Sequence, residues 1–383
     1  MRRSFLCFFI LMALATTFAA ASEHPDPLWR PWMGPGDSLV LLQGPSAFKE
    51  GTFEGTRLLG AAVKLTAPSW KDKGYYMSPV IRLPRQALWV IPSWNIKCSG
   101  NEGWLVEVRV RSGEGELSPW LLMGSGGSAA PVIAASEKGS QAGPKDKAGP
   151  KGQEAPCSWA KADIDNIKLT KPVKEVQYRV TLMGKESSPA LTLFALAFRI
   201  NPPVPDSELA HYLEADLKPL QVPYRSQHDE EKDLSSRVCC PTSTAMVLQY
   251  LGVNRPTSEI ASLLYNKQHD IYGTWWMPPQ AACQLGLRGW VQIFSTWEEV
   301  QKVIAQGQPI IASISYGEGE LRNAPASSSK GHLTVVTGFD GEGRVLVNDP
   351  AGKDASGQPM AYDRKEFGKA WFLHGGVGII LKK

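Results

Sequence analysis

The sequence predicts two domains in series: an N-terminal all-β sandwich and a C-terminal α+β domain. Three observations carry this. Residues from about Asp37 to Ile200 form short runs of strand character broken by Gly and Pro. A Pro-rich stretch, Asn201-Pro202-Pro203-Val204-Pro205-Asp206, then interrupts the chain as a stiff linker. Beyond it helical patterns come first and strand-like runs follow, which is the order of an α+β domain. A length of 383 residues suits two domains of ordinary size.

The chain opens on Met1-Arg2-Arg3, an apolar run from Phe5 to Leu14 and the small residues Ala19-Ala20-Ala21. That is the plan of a signal peptide over residues 1–21, cleaved before Ser22. The apolar run is short for a membrane span, and no later run is long enough. The expected mature protein is exported, secreted or periplasmic or held at the cell surface, with no stable membrane insertion after cleavage. Net charge is +4, with Lys and Arg interspersed among Asp and Glu. No basic stripe for nucleic acid is present.

The sandwich is expected over residues 22–200. Trp104, Val106, Val108 and Val110 alternate with Glu107, Arg109 and Arg111, so one face is apolar and the other is expected to be wet. Val176 to Leu182 repeats the pattern, and Leu191 to Ile200 is more continuously apolar. Residues 124–156 are rich in Gly, Ser, Ala, Pro and Lys and poor in apolar side chains, the composition of a disordered insert. Trp70, Trp89, Trp94, Trp104 and Trp120 are assigned to the sandwich core rather than to a glycan surface.

After a linker at 201–219, the second domain spans 220–383. Helices are expected at Pro241–Leu251, from Thr257 or Ser258 to Tyr265, at Met277–Leu285, and from a capping box at Thr296 and Glu299 to Ala305. Strands are expected at Pro309–Ser315, His332–Phe339, Arg344–Asn348 and Val377–Leu381.

Six cysteines become five once Cys7 leaves with the signal peptide. An odd count in an exported chain suggests bridges plus one free thiol. Cys98 with Cys157 and Cys240 with Cys283 are the candidate pairs, leaving Cys239; buried free thiols are the alternative. No pair is spaced C-x-x-C, so zinc has no support, and no cofactor is called for.

Cys239 precedes Pro241, a residue suited to a first helical turn. A thiol there meets unpaired N–H groups and the positive end of the helix dipole, which favour a thiolate. Cys240 is turned roughly 100° around the axis. Among the histidines, His332 opens an apolar strand after Gly331, whereas His24, His211, His269 and His374 sit in polar contexts. A tight turn at Asp340-Gly341-Glu342-Gly343 pairs Phe339 with Arg344 and so sets Thr334 opposite Asp349. His332 is then a diagonal neighbour of Asp349 on one face, roughly 7–8 Å away at the backbone. These residue types make up a thiol nucleophile, a general base and an orienting carboxylate. Gln227 is the candidate amide donor to an oxyanion, beside the Cys239 N–H.

The segments Val222-Pro223-Tyr224-Arg225-Ser226-Gln227, Val238-Cys239-Cys240-Pro241-Thr242-Ser243-Thr244-Ala245-Met246, Gly331-His332 and Val347-Asn348-Asp349-Pro350 closely resemble the bacteriocin-leader-processing (double-glycine leader) cysteine peptidases, and in particular their stand-alone secreted relatives. The resemblance covers Leu220 to Lys383. It implies a papain-like fold, a peptide or protein substrate, Cys239 as nucleophile, His332 as base, Asp349 as orienter and Gln227 in the oxyanion hole. Cys240 stands where that family usually carries Gly or Ser. No transporter segments are present, so cleavage coupled to export is not implied. Gly74 to Ile81, Ser93-Trp94-Asn95 and Tyr178 to Leu182 resemble the β-sandwich that precedes such peptidases in some bacterial secreted proteins. The expected activity is peptide-bond hydrolysis by a thiol. Two other readings stay open: a cell-envelope peptidoglycan amidase or endopeptidase with the same chemistry, and a binding or adhesion protein whose papain-like half is inert, which a Cys239–Cys240 bridge would support.

Overall fold

The computed structural model describes residues 38–66, 73–113, 115, 117–131, 157–199, 209, 217–352 and 359–383. The expected signal peptide, Trp70, His24, His211 and most of the expected linker lie outside the described residues.

Residues 40–198 build two antiparallel sheets from strands whose apolar residues share one core. Four strands matter for the site: β1 (Trp89–Lys97), β2 (Glu102–Arg111), β3 (Val173–Gly184) and β4 (Ala190–Arg199). In one sheet β1 pairs β4, with Phe194 opposite Trp94. In the other β2 pairs β3, with Val180 opposite Val106. Val106, Val108, Val110, Trp94 and Phe194 meet in the core, as alternation requires.

The Glu107 face of β2 is only partly wet: Arg109 and Arg111 are half-exposed. Glu107 is buried and paired with Arg179 at 2.8 Å. Arg109 bonds Gln177, Arg111 bonds Glu175, and the Arg109 guanidinium lies 4.4 Å from the Trp120 ring. Charges that complement each other across strands, roofed by an indole, let a polar face be covered. Trp120 therefore lies outside the core, while Trp94 and Trp104 lie within it. The beginning of the expected insert is structured: Gly124, Ser125 and Gly126 belong to the strand Leu121–Gly126; residues 132–156 of it lie outside the described residues.

The second domain contains α1 (Cys239–Tyr250), α2 (Met277–Gln284), β5 (Arg288–Ile293) and α3 (Trp297–Ala305). They are followed by β6 (Ile310–Tyr316), β7 (Ser329–Phe339), β8 (Val345–Asn348), β9 (Met360–Tyr362) and β10 (Val377–Lys382). The strands form one antiparallel sheet in the order β5-β10-β6-β7-β8-β9. The capping box at Thr296 and Glu299 is formed as the sequence predicts. The helix after Pro256 ends at Leu263, and Tyr265 instead enters a short hairpin with Tyr272. Thr257 is its first residue, and no side chain caps it.

The two domains are welded rather than strung. Trp276, just before α2, stacks on Trp94 at 4.7 Å inside the N-terminal core. The free edge of β5 is covered by side chains of β1. Asn95 Nδ2 donates to Gly289 O at 2.8 Å, Gly289 N donates to Asn95 Oδ1 at 3.0 Å, and Val291 N donates to Ser93 Oγ at 3.0 Å. Gln280 Oε1 accepts from Ile96 N at 2.9 Å, and its Nε2 donates to Ile96 O at 2.6 Å. Ile91 and Ala197, on the outward faces of β1 and β4, join the core of the second domain. Burial on both faces explains why β4 reads as a continuous apolar run. Leu209, inside the expected linker, is buried and its carbonyl accepts from Trp297 Nε1 at 2.6 Å.

Candidate active site

Cys239 is the first residue of α1, and its side chain is partly exposed. Pro241 falls in the first turn, where its lack of an N–H costs nothing. The helix is seated on β7: residues Cys240 to Leu248 are all buried, and Ser243 Oγ donates to Leu333 O at 2.8 Å. This fixes Cys239 beside the start of the histidine strand.

The hairpin of β7 and β8 places His332 against Asp349. Phe339 pairs with Val345, not with Arg344. The register shifts between Val336 and Gly338, so Val335 meets Asn348. The shift removes the one-residue error, and continued by one step this register sets Thr334 opposite Asp349. His332 Nε2 donates to Asp349 Oδ1 at 2.7 Å, and both side chains are buried. With Nε2 so engaged, the other ring nitrogen is left for the Cys239 sulfur, with which His332 is hydrogen-bonded.

The electrostatics follow from these contacts. Burial pushes the Cys239 thiol up, but its hydrogen bond with His332, the imidazolium charge, and the backbone N–H groups of Leu333 and Cys240 bring it below the ordinary thiol value. Burial pulls the His332 imidazole down, and Asp349 and Cys239 together lift it well above its ordinary value. Burial pushes the Asp349 carboxyl up, yet His332, the Ala351 N–H and the Tyr362 hydroxyl hold it low. The three shifts point the same way: each partner favours the charged form of its neighbour, with Cys239 partly exposed and His332 and Asp349 buried.

Two parts of this array carry no motif in the sequence. Tyr362, on β9, donates its hydroxyl to Asp349 Oδ2 at 3.0 Å. Ala351 N donates to Asp349 Oδ1 at 2.9 Å. Asp349 thus has a donor on each oxygen besides the histidine. Nothing in the Met360-Ala361-Tyr362 stretch signals this role, because it depends on how β9 returns to β8.

Gln227 is buried and lies in a short 3₁₀ turn whose N–H, at Gln227 itself, donates to Pro350 O at 2.9 Å. Asn348 Nδ2 donates to Val222 O at 2.9 Å, and Tyr224 OH donates to Gly352 O at 2.8 Å. The 222–227 segment therefore runs along the segment carrying Asp349. Among the described residues, the Gln227 Oε1 has no hydrogen-bond partner.

The cysteine pairings are not formed. Cys98, Cys157, Cys239, Cys240 and Cys283 are all free. Burial pushes the Cys98 thiol up to about 12 and the Cys283 thiol up to about 11. Cys240 is buried beneath Gly273, and burial pushes its thiol up as well. Neighbouring cysteines thus sit in opposed environments, one thiol lowered and the other raised.

Comparison with known families agrees with this division. Residues 219–379 match the model of the Peptidase C39 like family. The chain carries a Peptidase C39-like domain. Residues 40–198 match the Peptidase C39 N-terminal domain, so the two-sheet unit that holds the C39-like domain has a family model of its own. No curated protein matches the chain. Among the described residues, no helix of the C39-like domain or of its N-terminal partner is long and apolar enough to cross a membrane.

Proposed function

We propose that this chain is a cysteine peptidase that hydrolyses peptide bonds through Cys239, His332 and Asp349. The observation that carries the reading is the position of Cys239 at a helix N-terminus, hydrogen-bonded with an imidazole that Asp349 holds at 2.7 Å. The thiolate attacks the scissile carbonyl carbon, and the carbonyl π electrons move to oxygen. The Cys239 N–H and the Gln227 side-chain amide stabilise that oxyanion. As the intermediate collapses, His332 gives its proton to the departing amine, leaving a thioester. Neutral His332 then takes a proton from water. The resulting hydroxide adds to the thioester, and the acid leaves with the thiolate restored.

The free state of Cys239 and Cys240 speaks for an enzyme over an inert binding protein. The basic start, apolar run and small residues before Ser22 support export of the mature chain; N-terminal sequencing of the mature protein checks it. For the peptidase reading, the test is hydrolysis of denatured casein by the wild type and by Cys239→Ala. Loss of hydrolysis with an unchanged circular dichroism spectrum supports it, and wild-type rates in Cys239→Ala contradict it.

A further inference from the structure

Residues 273–276 link the N-terminal domain to the nucleophile end of α1. Gly273 has φ +88, and a Cβ there would lie 2.3 Å from Cys240 Sγ, so the chain passes close over the residue next to the nucleophile. Two residues on, Trp275 Nε1 donates to Ser313 Oγ at 3.2 Å. Ser313 is opposite Leu333 in the β6–β7 ladder, and the Leu333 N–H is one of the donors to the Cys239 sulfur. Trp275 is thus bonded to the strand beside Leu333 and follows by two residues the glycine that passes over Cys240. Trp276 is fully engaged in the N-terminal core, whereas Trp275 stays only partly buried.

The other ties on Trp275 come from the N-terminal domain. Its backbone N–H donates to Asp165 Oδ2 at 3.2 Å, and its ring meets the Trp89 ring edge-on at 5.7 Å. Trp89 Nε1 in turn donates to Asn166 Oδ1 at 3.1 Å, which locks the turn carrying Asp165. Burial pushes the Asp165 carboxyl up to about 6, and the groups that pull it back are N–H donors, with no cation among them. Asp165 is only partly buried, and its Oδ2 holds the segment that passes beside Cys240.

We propose that Trp275 forms an apolar wall of the substrate cleft beside Cys239, taking an aromatic or aliphatic side chain of the peptide, and that Asp165 and Trp89 are the positioning residues that hold it there. The N-terminal domain then contributes to substrate selection rather than acting as a separate binding module. The inference rests on the peptidase reading above.

The test uses the full-length protein and three reagents that end on the same sulfur. Iodoacetamide needs only a reactive thiolate. A peptidyl chloromethyl ketone with Phe at the two positions before the warhead needs the wall as well, and its analogue with Gly at both positions does not. In Trp275→Ala and Asp165→Ala, the iodoacetamide rate at Cys239 is expected to stay within about twofold of wild type. Inactivation by the Phe reagent is expected to fall about tenfold and by the Gly reagent far less, the size of effect that one apolar contact gives. Asp165→Asn, which keeps an acceptor for the Trp275 N–H, is expected to restore the preference. Should Asp165→Ala fail to fold, Trp275→Leu gives the same readout without touching the carboxyl. A Phe preference that survives in the Trp275 variants overturns the proposal, as does an equal fall with all three reagents. A wild-type Cys239 inert to iodoacetamide overturns the peptidase reading and this inference with it.

Discussion

His332 and Asp349 lie 17 positions apart in sequence and 2.7 Å apart in space, joined Nε2 to Oδ1 across the β7–β8 hairpin. That bond leaves the other ring nitrogen for Cys239 and raises the pH at which the imidazolium loses its proton. Removing it is expected to undo both effects. In Asp349→Ala, His332 loses the partner that raises it, and Cys239 in turn loses part of what lowers it. The pH at which Cys239 reacts with iodoacetamide should move alkaline, and peptide hydrolysis should fall by about 100-fold or more. An unchanged pH profile in Asp349→Ala contradicts the array.

The sign of the wild-type pH dependence follows from the same shifts. The thiolate is present above the lowered Cys239 value, and the imidazolium persists up to the raised His332 value. Hydrolysis should therefore be lost on acidification, when the thiolate is protonated, and on strong alkalinisation, when the imidazolium proton is gone. The plateau between should extend to pH values below about 8.5, where an ordinary thiol is mostly protonated. A kcat/KM profile that rises only above that pH counts against the pair.

Tyr362 is expected to matter although it is buried behind Asp349. Tyr362→Phe removes one donor from buried Asp349 Oδ2 and leaves the shape of the core intact. The unpaired oxygen should cost about 1–3 kcal/mol of stability. The Asp349 carboxyl should rise, and the acid limb of the activity profile should shift with it. Chemical denaturation and a pH–rate profile of the variant check both. A variant with lowered stability and an unmoved profile assigns Tyr362 to packing alone.

The weld between the domains predicts one unfolding transition. Trp276→Ala deletes an indole that belongs to one domain and fills the core of the other, so it should cost about 3–5 kcal/mol. Asn95→Ala leaves the Gly289 N–H and C=O without their partners and should cost about 2 kcal/mol or more. Both should lower one shared transition, seen alike by circular dichroism and by loss of Cys239 reactivity. Two separated transitions contradict a shared core.

Much of the site was legible because its signals are local. Cys239 before Pro241 needs only helix-end chemistry, and Thr296 with Glu299 needs only a capping box. The His332–Asp349 pairing was legible for a subtler reason. The assumed turn register was off by one at Phe339, and an irregularity between Val336 and Gly338 returned it to the right phase. Non-local contacts were not legible. The alternation of β2 marks Glu107 as solvent-facing, because sequence does not show that Arg179 and Trp120 cover it. The Pro-rich stretch after Asn201 reads as a spacer, because nothing local shows Trp276 crossing into the other core. Cysteine counting suggests bridges, while packing puts Cys240 under Gly273 and leaves every described thiol free.

The thiolate assignment is tested most directly by limiting iodoacetamide at neutral pH, followed by mass mapping of the alkylated cysteine. Cys239 is lowered, while Cys98, Cys240 and Cys283 are pushed up by burial. The account predicts carbamidomethylation at Cys239 well before any of these three, and loss of this selectivity in His332→Ala. Even labelling among them, or selective labelling of Cys239 that survives His332→Ala, would contradict it.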